Sequence, residues 1–274
     1  MKRIILTAAA ALLVGSCAVN DAFPAPSRVE TPAAAAAAAP TPYLDEQTLL
    51  TLARAVPAPP PEGSTEASLD LADSQRWRAV EDSDRWRLAQ THAEVRPALG
   101  MQHFDCPLNT RLAEEPPPAL VRLLGRSLRD ASIASNAAKA VGFRPRPIAD
   151  DPDRRACIRV DDDLRSSPSH PSGHATVGAL WGRIMAEVAP DQADALTRIG
   201  DEIGVSRTVC GLHYPSDVAA GQALGAALFE TIRDTPAYQA DLAAARAEVA
   251  QARTLGRLNP GCAAERIALG QTPS

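Results

Sequence analysis

Lysine is almost absent from this sequence of 274 residues: it occurs only as Lys2 and Lys139, and arginine supplies every other basic side chain. Long apolar runs are missing after the first twenty residues, which excludes a membrane-spanning helix from the rest of the chain. Alternation typical of strands is nearly absent and no internal repeat occurs, so the sequence predicts an all-α fold. The formal net charge is −5, and an acidic chain argues against non-specific nucleic-acid binding.

The N-terminus has the pattern of a bacterial export signal. Lys2 and Arg3 give a basic start, residues 4–14 form a short apolar run, and small residues follow. Cys17 stands where lipoprotein processing would remove residues 1–16 and attach lipid to the cysteine. We therefore predict a signal peptide over residues 1–17 and an exported, periplasmic protein with a lipid anchor at Cys17. The alternative is a soluble secreted protein in which Cys17 has no such role.

The segment after the signal is rich in proline and alanine. Residues 18–42 have no apolar face to bury, which predicts a disordered tether. Residues 43–274 are enough for a single domain with a substantial core. Four further cysteines predict two disulfides in an oxidising compartment, and the sequence leaves all three pairings open. They are Cys106, Cys157, Cys210 and Cys262. None forms a C-x-x-C pair, so no metal site is predicted.

Apolar residues at helical spacing outline the domain. The predicted helices cover residues 44–55, one or two segments within 68–95, and then 116–141, 174–188, 191–205, 217–233 and 238–255. Residues 144–153 contain three prolines and predict an extended loop. Trp77 and Trp86 are interpreted as packing residues. His92 and His103 lie in no motif and are interpreted as structural or surface groups.

The segment Pro171-Ser172-Gly173-His174 opens the helix predicted at residues 174–188. The first N–H groups of a helix are unpaired and carry the positive end of its dipole, so they stabilise an oxyanion. Gly173 lets the backbone approach that anion closely. Ser172 can cap the helix or hydrogen-bond a phosphate oxygen. Taken alone, a serine N-cap on an ordinary helix explains the same pattern.

His213 and Asp217 lie four residues apart and follow Arg207. A carboxylate at that spacing can reach one imidazole nitrogen and fix the tautomer, which leaves the other nitrogen as a nucleophile. An equally simple interpretation is that Asp217 only caps a helix beginning near Ser216.

Lys139 is the only lysine after the export signal, and Arg146-Pro147 follows it closely. An ammonium group is a compact point charge, whereas a guanidinium is a planar fork. We therefore expect Lys139 to contact an anion where arginine would not fit. The alternative is an ordinary surface lysine.

Together these segments have the form K-x6-R-P, P-S-G-H and S-R-x5-H-x3-D. The pattern resembles the signature of the PAP2/vanadium-haloperoxidase superfamily at every specified position, and is most similar to the bacterial class A non-specific acid phosphatases. The resemblance spans about residues 59–249. It implies a single-domain helical bundle of the PAP2/haloperoxidase type that hydrolyses phosphate monoesters with broad specificity and without a metal or cofactor. A homo-oligomer is compatible with the sequence.

The resemblance also implies a role for each matching residue. His213 attacks phosphorus to give a phosphohistidine, and Asp217 orients His213 and stabilises its charge. His174 protonates the leaving alkoxide and then activates water. The phosphate is held by Lys139, Arg146, Ser172, Gly173 and Arg207.

Two positions depart from the family pattern. His170 stands where an aromatic residue such as Tyr is usual, and it alters the pocket wall or the pH response; Ala175 replaces a frequent Thr. Two other functions use the same scaffold. One is a vanadate-dependent haloperoxidase, whose members are generally longer, and the other is a non-catalytic phosphate-binding lipoprotein, which would be expected to have lost His213 or His174.

Overall fold

A computed structural model describes residues 40–151 and 153–273 of the chain. The export signal, Cys17 and its lipidation, and residues 18–39 of the predicted tether lie outside the described residues. Those assignments, and the division at residues 17 and 42, stay predictions.

Within the described ranges the chain is built from α-helices joined by short turns, and no β-strand occurs there. The all-α prediction is confirmed. The helices are α1 (Glu46–Arg54), α2 (Thr65–Arg76), α3 (Asp84–Thr91), α4 (Pro97–Gly100), α5 (Asp105–Leu108), α6 (Pro118–Lys139), α7 (Pro147–Asp150), α8 (Asp162–Ser166), α9 (Gly173–Val188), α10 (Ala193–Val209), α11 (Pro215–Ile232), α12 (Pro236–Thr254) and α13 (Cys262–Leu269). Single 3₁₀ turns cover Trp77–Val80, Met101–Phe104 and Pro190–Gln192.

The predicted long helices are present, with shifted ends. Helix α10 continues to Val209, four residues past the predicted end, so the Ser-Arg pair of the third motif lies on its last turn. The segment predicted as an extended loop contains the one-turn helix α7, because Pro147 at its first position needs no hydrogen-bond partner. Helices α4, α5, α8 and α13 were not predicted, since four to eight residues carry too little periodicity.

Helix α9 lies at the centre of the core. Its apolar residues at three-to-four spacing are buried against α6, α10 and α11, with Trp181 fully enclosed. Burial of this stripe favours helix formation over the unfolded chain, because each fully buried large apolar side chain contributes about 1.5–3 kcal/mol. The start of α9, which carries the second motif, is thereby fixed relative to both neighbouring helices.

Two glycine contacts set how closely those neighbours approach. A Cβ on Gly200 of α10 would overlap the carbonyl oxygen of Gly178 on α9. A Cβ on Gly221 of α11 would overlap the carbonyl oxygen of Ser172, at the start of α9. Only glycine permits these approaches. They bring the middle of α10 and the first half of α11 close against the N-terminal half of α9.

Both predicted disulfides form, and the structure selects their pairing. Cys106 bonds Cys262, which attaches α13 to α5, and Cys157 bonds Cys210 at the end of α10. Trp86 is buried beside the second disulfide and Trp77 packs against the same cluster, in agreement with the packing interpretation. None of the helices in the described part of the chain is long and apolar enough to span a membrane.

Candidate active site

The predicted site residues come from five separate places in the sequence and meet at one end of the central helices. Lys139 is the last residue of α6 and Arg146 directly precedes α7. Ser172 is the N-cap of α9, and Gly173 and His174 are its first two residues. Arg207 lies in the last turn of α10, His213 in the following loop, and Asp217 in the first turn of α11.

Three cations form what we call the cation cluster: Lys139, Arg146 and Arg207. Lys139 Nζ donates to the carbonyl oxygens of Pro168 at 2.8 Å and Ser169 at 3.4 Å. Arg146 donates to carbonyl and hydroxyl oxygens of the flanking loops and to His213 Nε2. Arg207 is only 2% exposed, and its Nε and Nη1 have no hydrogen-bond partner among the described residues. Buried guanidinium donors left unpaired are costly, so this arrangement favours an anion between these groups.

The pKa values of all three cations are lowered. Burial, followed by the charge of Arg146, lowers the pKa of Lys139 to about 7 and that of Arg207 to about 9. Burial lowers the pKa of Arg146 to about 10. Mutual repulsion and lost hydration both disfavour the charged forms, and a bound dianion would relieve both.

The contacts of His213 fix its tautomer. Its Nε2 lies 3.0 Å from Arg146 Nη1, which can only donate, so Nε2 carries the lone pair. Its Nδ1 lies 3.3 Å from the Ser169 hydroxyl oxygen. That hydroxyl donates to Asp217 Oδ2 at 2.6 Å and is free to accept from Nδ1–H. The neutral ring therefore directs its lone pair into the cation cluster, and burial lowers its pKa to about 3.

The prediction that Asp217 reaches the His213 ring directly needs a correction of detail. The nearest carboxylate oxygen is 3.8 Å from Nδ1, too far for a hydrogen bond. Ser169, which sequence reasoning missed, bridges the two groups through its hydroxyl. Asp217 also accepts the backbone N–H of Tyr214 at 2.8 Å. Asp217 therefore both caps the first turn of α11 and contacts the His213 ring through Ser169.

Asp217 is fully buried. We call the four groups that contact its carboxylate the carboxylate clamp: Arg144, His170, Ser169 and the backbone N–H of Tyr214. Asp217 Oδ1 accepts from Arg144 at 2.9 Å and faces His170 Nδ1 at 3.2 Å. Burial alone would raise the pKa of Asp217, but its contacts with His170 and His213 and the charge of Arg144 hold that pKa well below its ordinary value. Asp217 is therefore ionised throughout the working pH range of an ordinary enzyme.

The carboxylate clamp is connected to α2 through Asp70. No motif in the sequence predicts this connection. Arg144 also donates to Asp70 Oδ2 at 2.9 Å. Asp70 Oδ1 accepts the backbone N–H of Ser216 at 3.0 Å, in the first turn of α11. The first turn of α11, and with it Asp217, is thus fixed by a side chain 146 residues earlier.

The start of α9 supplies the third side of the site. Ser172 caps the helix by accepting from Ala175 N–H at 3.3 Å, while its own N–H donates to Asp217 O at 2.9 Å. His174 Nε2 lies 3.2 Å from Ala93 O. Burial and then the charge of Arg207 lower the pKa of His174 well below its ordinary value, with smaller effects from His213 and Arg146. Lys139, Gly173 and His174 are partly exposed, so the open side of the site lies at these residues.

The two histidines without a motif prove to be buried. His92 Nδ1 lies 2.8 Å from the hydroxyl of Ser206, which also accepts from Arg85 Nη1 at 2.8 Å. His103 Nε2 lies 2.7 Å from Glu94 O. Ser206 and Arg207 therefore have different roles. Ser206 hydrogen-bonds to Arg85 and His92 at α3, whereas Arg207 reaches into the cation cluster. A cleft of about 340 Å³ between α3 and α13 contains none of the predicted site residues.

The chain is similar to known proteins over most of its length. A model of the PAP2 superfamily matches residues 121–238. An acid phosphatase of Zymomonas mobilis subsp. mobilis is 33% identical over 199 residues, which cover 72% of this chain and 75% of that protein. A non-specific acid phosphatase of Salmonella typhimurium is 31% identical over 70% of this chain and 78% of its own length. One from Providencia stuartii is 27% identical over 76% and 85%. The chain belongs to the PAP2 superfamily, among the non-specific acid phosphatases.

Proposed function

We propose that this protein hydrolyses phosphate monoesters through a phosphohistidine formed on His213. The enzyme class, phosphoric monoester hydrolase, follows from its membership in the acid phosphatase family. The observation that supports the chemical course is the His213 lone pair, directed into the cation cluster, where Arg207 keeps two buried donors without a partner among the described residues. A phosphoryl group is the ligand that matches this charge and these donors.

In the first step the phosphate enters the cation cluster and Arg146 releases Nε2. Nε2 attacks phosphorus and the bond to the ester oxygen breaks. The positive charge on the phosphorylated ring is offset by Asp217 through the Ser169 hydroxyl. His174 gives a proton to the departing alkoxide, so that an alcohol leaves. Arg207 and Lys139 stabilise the charge on the non-bridging oxygens.

In the second step water attacks the phosphohistidine. His174 accepts a proton from that water, the P–N bond breaks, and inorganic phosphate remains in the cation cluster. His174 is neutral in the anion-free site because its pKa is lowered. A bound dianion offsets the Arg207 charge that contributes to this lowering, so the pKa of His174 rises when substrate binds. Proton donation by His174 therefore depends on the occupied site.

Three further properties belong to the same proposal. The cations neutralise the phosphate in the way that magnesium does in kinases, so no metal is required for turnover. Broad specificity follows because the assigned contacts go to the phosphoryl group rather than to the alcohol. Action outside the cytoplasm, with a lipid anchor at Cys17, follows from the predicted export signal.

The test is to trap the intermediate. The full chain is mixed with p-nitrophenyl phosphate labelled with ³²P, with and without EDTA, and quenched in alkali, under which phosphohistidine survives. We expect a burst of nitrophenol, chelator-resistant turnover, and label that is released by acid. His213→Gln should lose the label and at least about 10⁴-fold in kcat.

His174→Ala provides the matched comparison. Nitrophenolate leaves without much help from an acid, so this variant should still be phosphorylated but release phosphate slowly, and labelled protein should accumulate. Turnover without any labelled protein in both the wild type and His174→Ala would overturn the covalent route. Halide oxidation with vanadate and peroxide, in place of phosphate release, would overturn the phosphatase assignment.

A further inference from the structure

His170 makes two hydrogen-bonding contacts at the edge of the site. Its Nδ1 lies 3.2 Å from Asp217 Oδ1, and its Nε2 lies 2.9 Å from the carbonyl oxygen of Pro57. The side chain is buried, with 5% of the residue exposed. Pro57 lies in the segment between α1 and α2, so this ring joins that segment to the buried carboxylate.

Both partners of the ring are acceptors only. A carbonyl oxygen and an ionised carboxylate have no hydrogen to donate, and a neutral imidazole carries a single N–H. The neutral ring can therefore satisfy one of the two contacts, and the other would then bring two lone pairs together. Only the imidazolium form, with a hydrogen on each nitrogen, makes both hydrogen bonds.

The charges around the ring are consistent with that form. On α11, Asp217 faces Nδ1, and Arg144 donates to the same Oδ1 from the loop before α7. On α2, Asp70 pairs with the other arm of Arg144 at 2.9 Å. The segment at Pro57 contributes its carbonyl oxygen. These two carboxylates and one guanidinium sum to −1, and a protonated His170 completes the balance. From α6, Lys139 Nζ approaches the loop that contains His170 and donates to the carbonyl oxygen of Ser169 at 3.4 Å.

We propose that His170, as an imidazolium, is a positioning residue that holds Asp217 for the Ser169–His213 relay. This rests on the proposed function. Asp217 Oδ1 then has two cationic donors, the Nδ1–H of His170 and the guanidinium of Arg144. Together they keep Oδ2 directed at the Ser169 hydroxyl. Loss of the His170 donor weakens this orientation and lowers kcat.

Two substitutions separate the two hydrogen bonds. In His170→Asn the amide nitrogen takes the place of Nδ1, so it can donate to Asp217 at any pH. In His170→Gln the amide nitrogen takes the place of Nε2, so it can donate only toward Pro57. His170→Phe keeps the ring volume and removes both bonds.

The expected results are measured with p-nitrophenyl phosphate on the full chain. At about pH 5.5, His170→Gln and His170→Phe should lose about tenfold in kcat, the size expected for one hydrogen bond to a charged group. His170→Asn should stay within about threefold of the wild type. KM should change little in all three, because none removes a cation from the cluster. Equal kcat in the Gln and Asn variants, or a wild-type kcat in His170→Phe, would overturn the positioning role.

A second measurement is independent of turnover. In protein labelled with ¹⁵N-histidine, the His170 ring, assigned by its loss in His170→Phe, should show both nitrogens protonated at about pH 5.5. A singly protonated ring at that pH would overturn the imidazolium assignment even if the protein is an active phosphatase. A wild type without phosphatase activity would instead refute the proposed function, while the nitrogen shifts would still report on the ring.

Discussion

The two sides of the His213 ring differ in how completely their polar groups are satisfied. On the Nδ1 side, the carboxylate clamp gives Asp217 four partners, namely Arg144, His170, Ser169 and the backbone of Tyr214. On the Nε2 side, two buried donors of Arg207 have no partner in the described part of the chain, and the pKa values of the cations in the cluster are lowered. The polar groups on the Nδ1 side have their hydrogen-bond partners without a ligand, whereas those on the Nε2 side lack some of theirs among the described residues.

This difference indicates how the fold divides the work of the site. A satisfied buried network fixes the geometry of a side chain, so the clamp can hold the His213 ring in one orientation without a bound anion. An unsatisfied cluster of like charges is unfavourable by itself and becomes favourable only with an anion. In the proposed mechanism, binding free energy is thereby concentrated at the phosphoryl group, where charge develops in the transition state.

Among substitutions that compare the two sides of the ring, the largest effect is expected in the cation cluster. Arg207→Met should lower kcat/KM by about 10²–10³-fold, as the loss of one preorganised donor does. The affinity of this variant for inorganic phosphate, measured by calorimetry, should fall as well. Arg154→Met is the matched control, because Arg154 is also buried and its Nε and Nη1 have no partner among the described residues, yet it lies against Gly211 and Thr208 instead of in the cluster.

This control tests whether the loss of any buried arginine with unpaired donors lowers activity. Arg154→Met should change the free energy of unfolding but leave kcat/KM within about threefold of the wild type. Comparable losses of phosphate affinity in the two variants would mean that the anion is not bound specifically by the cation cluster.

A smaller effect, of a different kind, is expected from the clamp. Arg144→Met removes the donors to Asp217, Ser216 and Asp70. We expect kcat to fall about 10–100-fold, the usual size for a group that orients a functional side chain through hydrogen bonds. Phosphate affinity should be unchanged, since Asp217 faces the other side of the ring. Arg155→Met, which breaks an exposed pair with Asp82, is the control and should leave kcat unaltered.

The cation cluster could be predicted from sequence and most of the clamp could not. Lys139, Arg146 and Arg207 are marked by residue type and spacing, because a phosphate site needs cations near a helix N-terminus. They lie at helix ends or next to them, and the apolar periodicity of the sequence predicted helices α6, α9 and α10. The local pattern therefore specified both the residues and the elements that present them.

The clamp depends on contacts across the tertiary structure. Ser169 lies between His213 and Asp217 only because the loop before α9 passes beside the start of α11. Asp70 reaches the same place from α2, whose position against α11 leaves no mark in the pattern of either helix. The disulfide pairing was open for the same reason. His170 was noticed as a departure in the second motif, but its contact with Pro57 is visible only in the structure.

The smallest expected effect is the pH dependence of KM, which we assign to Lys139 in the cation cluster. A change in the carboxylate clamp would alter kcat instead. Burial and the charge of Arg146 lower the pKa of Lys139 from 10.5 to about 7. Without ligand, the folded state binds fewer protons than the unfolded state between those values, so the Lys139 contribution to the unfolding free energy rises with pH across that window. Phosphate binds the protonated form, so the stabilisation it confers should fall over the same range.

The measurement is the shift in Tm caused by phosphate, together with KM, at about pH 6 and pH 8. In the wild type KM should rise by about tenfold between these values, because only the ammonium form binds well. Lys139→Arg stays charged at both, and it experiences the same titration of phosphate itself, so its KM should change much less. If the wild type and Lys139→Arg lose affinity in parallel, the lysine is not the titrating group. A decline confined to kcat would instead locate the pH dependence in the carboxylate clamp.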